Sequence, residues 1–279
     1  MPSVLVTGAA RGIGRATTLR LAAAGWEVIA GVRNEADGDE LLKANPGPAR
    51  TVPLDITDPD QVAALDRSLP ERLDAVVNNA GIVVGGPLEA IPPAELRRQL
   101  EVNVVGQAAV TQAVLPRLRA SRGRIVFVSS LSGVVATPMM GAYNASKFAL
   151  EGMADALRME LAPWGIRVVI VEPAQTDTDL WQRADTDLDD AVESLSPDHR
   201  QLYAKHIEGF RRSIPRSQRM AAPADGVAAT IEKALTTARP RARYVVGAGP
   251  RVQALMAKVT PTPVLDMMLR AGTGVPRRP

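Results

Sequence analysis

Ser3-Val4-Leu5-Val6-Thr7-Gly8-Ala9-Ala10-Arg11-Gly12-Ile13-Gly14 opens the chain with a strand-like run that passes directly into a glycine-rich turn. An amphipathic segment follows from about Ile13 to Ala24, where Gly25 stops it. A strand, a glycine turn and a helix in this order can cradle a dinucleotide pyrophosphate on the first N–H groups of the helix. Gly8 would allow the tight turn, Gly12 the approach of backbone to phosphate, and Gly14 the close packing of helix on strand. The spacing is G-x-x-x-G-x-G, which departs from the commoner G-x-G-x-x-G. Alone, the turn also reads as an ordinary helix N-terminus.

Further along, apolar strands alternate with helical patterns. Glu27–Val32, Arg50–Leu54, Leu73–Val77, Arg124–Val128, Arg167–Val171 and Tyr244-Val245-Val246 read as strands. Helices are expected over Glu35–Ala44, from Asp58-Pro59 in a cap-then-proline pattern, and near Ala94–Leu118 and Ala142–Ala162. Pro46-Gly47-Pro48 breaks the chain between the second helix and the third strand. This alternation predicts an α/β fold with a mostly parallel, doubly wound sheet. In such sheets ligands bind at the carboxyl ends of the strands. Two strands deliver polar groups there, Asn78-Asn79-Ala80-Gly81 after one and Ser129-Ser130 after another.

Tyr143-Asn144-Ala145-Ser146-Lys147 places a phenol and an ammonium four residues apart, on one face of the expected helix. A free tyrosine titrates near pH 10, so acid/base work near neutrality requires a shift of about 3 units, or about 4 kcal/mol. One fixed positive charge at about 4 Å supplies roughly that much in a medium of effective dielectric about 20. The expectation is that Lys147 lowers the pKa of Tyr143.

The chain has 279 residues, 46% of them hydrophobic, enough for the core of one α/β domain. It has no cysteine, which excludes a disulfide framework and a thiolate metal site. His199 and His206 are seven apart and read as one solvated face, so no metal is expected. The first strand begins at residue 3, leaving no room for a signal peptide, and no apolar stretch reaches the roughly 18 residues of a membrane span. A cytoplasmic protein is expected.

Thr7-Gly8-x-x-x-Gly12-x-Gly14, Asn78-Asn79-Ala80-Gly81, Asn103, Ser130 thirteen residues before Tyr143, and Lys147 occur in order and at matching spacing. From about residue 3 to 178 the chain resembles the short-chain dehydrogenase/reductase family. The resemblance implies a Rossmann-type sheet of about seven strands, with residues 1–249 as a nucleotide-binding and catalytic domain and 250–279 as an apolar extension of it. It also implies roles. Tyr143 would exchange a proton with a carbonyl or hydroxyl oxygen, Lys147 would tune the phenol and hold the nicotinamide ribose, and Ser130 would hydrogen-bond the substrate oxygen. Asn103 would hold, through its backbone, a water linking Lys147 to solvent. Ser130 also reads as a turn cap, and Asn103 as an ordinary polar helix residue.

For the cofactor the resemblance implicates Gly8, Arg11, Gly12, Ile13, Gly14, Arg33, Asp55, Ile56, Asn79, Ala80, Gly81, Tyr143, Lys147, Pro173, Thr176 and Thr178. A ribose 2′-hydroxyl calls for a carboxylate at the end of the second strand, and a 2′-phosphate for arginine or lysine. The chain has Val32 where the family's NAD-selecting aspartate falls, and Arg33 follows. NADP(H) is therefore expected, with Arg11 as a second phosphate ligand. NAD(H) remains open, since Glu35 or Asp37 could fold back to the ribose. Asp55 resembles the adenine ligand. In Pro173-Ala174-Gln175-Thr176-Asp177-Thr178, Ala174 replaces a glycine and Thr176 an aliphatic residue of the family's pattern, while Thr178 remains able to meet the carboxamide.

A helical lid is expected over about 177–219. Its first part, Asp177 to Glu193, has seven acids against Arg183, and its second, Arg200 to Arg219, six bases against Glu208, so the two parts can pair. Residues 1–199 carry 18 basic and 26 acidic side chains, net −8, while 200–279 carry 15 and 4, net +11. Such asymmetry could steer a phosphorylated carrier or an acidic surface, or consist simply of solvated arginines. With aromatics at 3%, the interleaved rings of a single-strand nucleic-acid binder are lacking.

The tail from Pro250 to Gly274 is apolar and methionine-rich, and with Pro240-Arg241-Ala242-Arg243-Tyr244 it resembles the hydroxysteroid and retinol dehydrogenase branch. A roof over an apolar substrate pocket, core packing or a subunit contact accounts for it ahead of peripheral membrane attachment. Apolar residues on more than one face of the 94–118 and 142–162 helices point to a homodimer or homotetramer. The expected function is an NADP(H)-preferring ketone reductase and secondary-alcohol dehydrogenase acting on a hydrophobic substrate. The alternatives are an NAD-dependent steroid or retinol-type alcohol dehydrogenase and a non-catalytic NAD(P)-sensing protein.

Overall fold

Alternation of buried strand residues between two apolar layers organises the molecule. The computed structural model describes residues 1–44, 47–178 and 182–276. Pro46 of the expected turn, residues 179–181 of the expected lid and residues 277–279 of the expected extension lie outside the described residues. The chain runs β1 (Ser3–Thr7), α1 (Gly12–Ala23), β2 (Glu27–Val32), α2 (Glu35–Lys43), β3 (Ala49–Pro53), α3 (Pro59–Ser68) and β4 (Ala75–Asn78). It continues with α4 (Pro93–Leu100), a π-helical turn (Glu101–Gly106), α5 (Gln107–Ser121), β5 (Arg124–Val128), α6 (Gly141–Leu161) and β6 (Arg167–Glu172). Short strands β7 (Thr176–Asp177) and β8 (Ala222–Pro223) flank the lid helices α7 (Ala184–Glu193), α8 (Pro197–Leu202) and α9 (Ala204–Met220). The chain closes with α10 (Ala224–Thr236), β9 (Arg243–Val245), α11 (Ala248–Val259) and α12 (Thr262–Gly272).

Seven strands form one parallel sheet in the order β3-β2-β1-β4-β5-β6-β9. Because both faces are covered, the strands are apolar throughout rather than alternating with polar residues. Leu5, Ile29, Val76, Ile125, Phe127 and Ile170 face one layer with Val110, Val114, Leu118, Leu150 and Ala154 of α5 and α6. Val4, Val6, Val28, Val77, Val126 and Val169 face the other, with Leu21 of α1 and Val227 and Ile231 of α10. Strand order reverses direction between β1 and β4, so the crevice at their carboxyl ends is a ligand position of this topology. Thr7 and Asn78 stand at its two sides.

Two expected elements differ from those observed. The strand expected from Leu73 begins at Ala75, since the Asp74 carboxylate accepts the Ser3 backbone N–H at 2.9 Å and ties off the strand's entry. The single helix expected near 94–118 is split by the π-helical turn. There Gly106 approaches Ile56 so closely that a Cβ would lie 2.8 Å from the Ile56 carbonyl oxygen, and Asn103 is drawn into side-chain bonds with the 80–84 segment. A π-turn absorbs such local demands at the cost of regular helix hydrogen bonding.

Candidate active site

Thr7 ends β1 and ties it to β4: its hydroxyl accepts the backbone N–H groups of Asn79 and Ala80, each at 3.0 Å. Asn79 returns the contact, its Nδ2 donating to the Thr7 carbonyl at 3.0 Å and the Gly8 carbonyl at 3.2 Å. Gly8 and Gly12 have φ of +61° and +50°, a region that favours glycine. A Cβ on Gly14 would run into the Gly8 carbonyl, and one on Gly12 would come 3.0 Å from Cγ2 of Thr178. The glycine turn, the Asn79-Ala80-Gly81 segment and the 173–178 segment therefore meet at one place.

The start of α1 beside this crevice has no side-chain cap and no acidic residue in its first turn. Its leading N–H groups and the positive end of its dipole suit an anion such as a pyrophosphate. These residues fit a dinucleotide. Arg33 is exposed at the end of β2 and joins none of the ion pairs among the described residues. Arg11 differs from the expectation: its guanidinium lies 3.3 Å from Asp37, and Asp37 is in turn held by Asn34, the cap of α2. Asp37 thus pairs with both Arg11, the second expected phosphate ligand, and Asn34. Asp55 uses one carboxylate oxygen on the N–H and hydroxyl of Thr57, and Ile56 is buried beside Gly106. Ile13 packs partly buried against the strand layer.

On α6, Tyr143 and Lys147 share a face as their spacing predicts, with the Lys147 ammonium 5.7 Å from the centre of the Tyr143 ring. Lys147 is buried and donates to the Val128 carbonyl at 2.9 Å. Burial pushes its pKa down to about 8, with Glu151 one turn away opposing that shift. The direction at Tyr143 corrects the expectation. Burial raises the phenol's pKa, and a hydrogen bond with Ser130 offsets this in part. Loss of solvent around the phenolate sets this direction, while the Lys147 ammonium is anchored on the Val128 carbonyl and faces the ring. Ser130 also caps the turn after β5, accepting the Ser132 N–H at 3.1 Å, so it is both a turn cap and a neighbour of Tyr143.

Asn103 joins this helix to the rest of the site. Its Oδ1 accepts the Ile82 N–H at 2.8 Å, and its Nδ2 donates to the Ile82 carbonyl and to Ser146 Oγ, each at 3.0 Å. Ser146 donates to the Tyr143 carbonyl at 2.7 Å. Gln99 and Gln107, which the sequence reading passed over, complete the scaffold: Gln99 accepts the Val84 N–H at 2.6 Å and Gln107 donates to the Ala80 carbonyl at 2.8 Å. The four-residue spacing of Gln99, Asn103 and Gln107, which puts three amides on one helix face, was the available signal.

Behind Lys147 lies a charge cluster that spacing alone did not reveal. Arg243 of β9 contacts Glu151 at 3.0 Å, Asp155 at 2.6 Å and Glu172 at 3.4 Å. Glu151 and Glu172 are buried, and burial raises both their pKa values, that of Glu172 to about 7 with the neighbouring Glu151 charge adding to it. One guanidinium shared by three carboxylates leaves one of them free to hold a proton near neutrality.

The 173–178 segment is partly committed to its own fold. Pro173 accepts the Leu131 N–H at 2.8 Å. Thr176 is buried, donates to the Ala174 carbonyl at 3.1 Å and pairs with Ala222. Thr178 donates to the Thr176 carbonyl at 3.3 Å. The expected pairing of lid halves is present where Arg211 meets Asp189 at 2.6 Å. Leu195 and Ile207 of the lid pack on Met139, which has a φ of +66° in the loop just before Tyr143. His206 stacks edge-on against Tyr203, and no group of metal-ligating residues forms among the described residues. The tail helix α12 flanks a groove with Thr137, Pro138, Ala145 and Phe148. Those α6 positions lie on another face of the helix from Tyr143 and Lys147, so the tail borders the loop before Tyr143 rather than covering the reactive groups.

Comparison with known proteins agrees with this geometry. Residues 2–189 match the family model described as short chain dehydrogenase. The chain is 32% identical to the NADPH-dependent 3-dehydrocapnine reductase of Ornithobacterium rhinotracheale over 88% of each chain. It is 33% identical to retinol dehydrogenase 5 of Mus musculus over 95% of this chain and 87% of that one. A short chain dehydrogenase from Burkholderia cenocepacia J2315, solved in complex with NADP, superposes with a TM-score of 0.75 at 27% identity, covering 96% of this chain and 97% of that one. The chain belongs to the short-chain dehydrogenase family and is an NAD(P)-dependent oxidoreductase.

Proposed function

We propose that the protein is an NADP(H)-preferring oxidoreductase that interconverts a hydrophobic ketone and its secondary alcohol. The observation that carries this reading is the meeting of Tyr143, Lys147 and Ser130 beside the crevice of the parallel sheet.

The nucleotide, when bound, supplies the hydride and takes it back in the reverse direction. The glycine turn and the uncapped start of α1 would hold its pyrophosphate, Asn79, Ala80 and Gly81 would line the crevice, and Thr178 would meet its carboxamide. A raised pKa suits Tyr143 as proton donor to a carbonyl oxygen, because the acid is present throughout the neutral range. Ser130 would hydrogen-bond the same oxygen and stabilise charge developing there. Lys147⁺ would stabilise the phenolate left by proton transfer, and Asn103, through Ser146, would hold the helix turn that carries both. A sensor would have no use for this relay.

Support for NADP(H) comes from the absence of an acid at Val32, the unpaired Arg33, and the NADPH and NADP named for one relative and one solved structure. Support for a hydrophobic substrate comes from the packing of the apolar lid residues Leu195 and Ile207 on Met139, in the loop before Tyr143. Val105, Phe148 and Met159 are exposed on the helices expected to pair, which favours a homodimer built through them. Initial rates with a panel of ketones and alcohols, each with NADPH/NADP and NADH/NAD, test the reading. The expected result is turnover of apolar ketones with NADPH. No turnover of any carbonyl or alcohol with either nucleotide, despite nucleotide binding, would leave the sensing alternative.

A further inference from the structure

Helix α4 buries a glutamine where an apolar residue would cost less. Among its described residues Gln99 alone is fully buried, at 0% exposure. A helix ordinarily buries an apolar stripe, and a buried amide is costly unless its donor and acceptor are both used. Both are used here. Gln99 Oε1 accepts the Val84 N–H at 2.6 Å, and its Nε2 donates to the Ile82 carbonyl at 2.9 Å. The same Nε2 lies 3.4 Å from Ser146 Oγ, which donates to the Tyr143 carbonyl.

These bonds go to a segment without strand partners. Residues 79–85 belong to no strand, so their backbone N–H and C=O groups must be paired in another way. Three amides at four-residue spacing pair them: Gln107 reaches Ala80, Asn103 both backbone groups of Ile82, and Gln99 Ile82 and Val84. The segment is a strap between two parts of the site. One end is tied to Thr7 through Asn79 in the nucleotide crevice. At the other, Gly86 donates its N–H to the Met139 carbonyl at 2.7 Å, in the loop before Tyr143. Gln107 holds the half toward the crevice, and Gln99 the half toward Tyr143.

We infer that Gln99 is a positioning residue of the reaction: by joining the Ile82–Val84 strap to the helix turn that carries Tyr143, it fixes the separation between strap and phenol. The inference rests on the proposed carbonyl reduction with Tyr143 as proton donor. The test compares Gln99→Met and Gln99→Glu with wild type, using NADPH and the ketone of highest wild-type turnover, well below each melting temperature. Gln99→Met keeps the side chain's length and loses both hydrogen bonds, so kcat/KM should fall by at least about tenfold. NADPH affinity should stay within about twofold, because Gln107 and the Thr7 contacts remain. The carboxyl introduced by Gln99→Glu can both accept from Val84 and donate to Ile82 only when protonated. Its kcat/KM relative to wild type should therefore climb as pH falls from about 9 to about 6, which a purely structural role would not produce. Wild-type kcat/KM in Gln99→Met overturns the inference, as does loss of NADPH affinity in parallel with turnover. If Gln99→Met does not fold, Gln99→Glu decides alone, and a ratio to wild type that stays constant with pH overturns the inference. Absence of wild-type turnover with every ketone removes the proposed reaction and this inference with it, whereas the other outcomes leave the reaction standing.

Discussion

Arg243 Nε lies 3.0 Å from the Glu151 carboxylate, and Glu151 stands one helical turn beyond Lys147. The last strand of the sheet thereby fixes a negative charge behind the buried ammonium and opposes the burial that pulls its pKa down to about 8. Glu151→Gln removes that charge, so Lys147 should lose its proton at lower pH and the alkaline limb of the kcat–pH profile should move toward acid by about one unit. Glu151→Asp should largely restore it. An unmoved limb in Glu151→Gln would reduce the pair to a structural tie.

Tyr143→Phe keeps the ring and removes the proton. Turnover should fall by at least about 10², with nucleotide affinity little changed in a fluorescence titration. Lys147→Ala should lose both, because the ammonium is given two tasks. Near wild-type turnover in Tyr143→Phe would end the proposed mechanism.

Arg33→Ala should weaken NADP(H) selectively. Loss of one charge-assisted contact costs about 1.5 to 3 kcal/mol, or roughly 10- to 150-fold in affinity, with NAD(H) little affected. Arg11→Ala should have a smaller effect on this preference, since Asp37 already pairs with its guanidinium. A wild-type kcat/KM that favours NAD(H) would reverse the cofactor assignment.

Glu172 couples stability to pH. Its folded pKa is raised from 4.5 to about 7, so the folded chain holds a proton that the unfolded chain has lost. The stabilisation is full below about 4.5 and disappears as pH rises through about 7, with a magnitude on the order of 3 kcal/mol. Lys147, lowered to about 8, acts with the opposite sign above that pH, so the two windows separate. Melting temperatures between pH 5 and 7.5 should fall less steeply in Glu172→Gln than in wild type; equal slopes would mean that Glu172 titrates normally.

Substrate length provides a further check. Across a series of ketones of increasing chain length, kcat/KM should rise, each well-buried methylene adding up to about 0.8 kcal/mol, or roughly fourfold. A flat or falling series would be incompatible with an apolar pocket formed by Met139 and the lid.

What the sequence determined by itself is local and periodic. The run from Ser3 to Gly14, the alternation of strands and helices, and the four-residue spacing of Tyr143 and Lys147 are written in consecutive residues, and their glycines and periodicities leave few geometries open. The family and the sheet were legible for that reason. Tertiary structure decided what depends on neighbours distant in the chain. Burial set the direction of the Tyr143 shift, Asp37 claimed Arg11 across 26 residues, and Arg243 reached Glu151 across 92. The π-turn at Asn103 arose from contacts with Ile56 and Ile82 rather than from its own helix pattern. The tail shows the division most clearly: its hydrophobic period is plain in the sequence, but a period states only that one face is apolar, and the packing of Ala254 and Leu269 decided that this face looks outward.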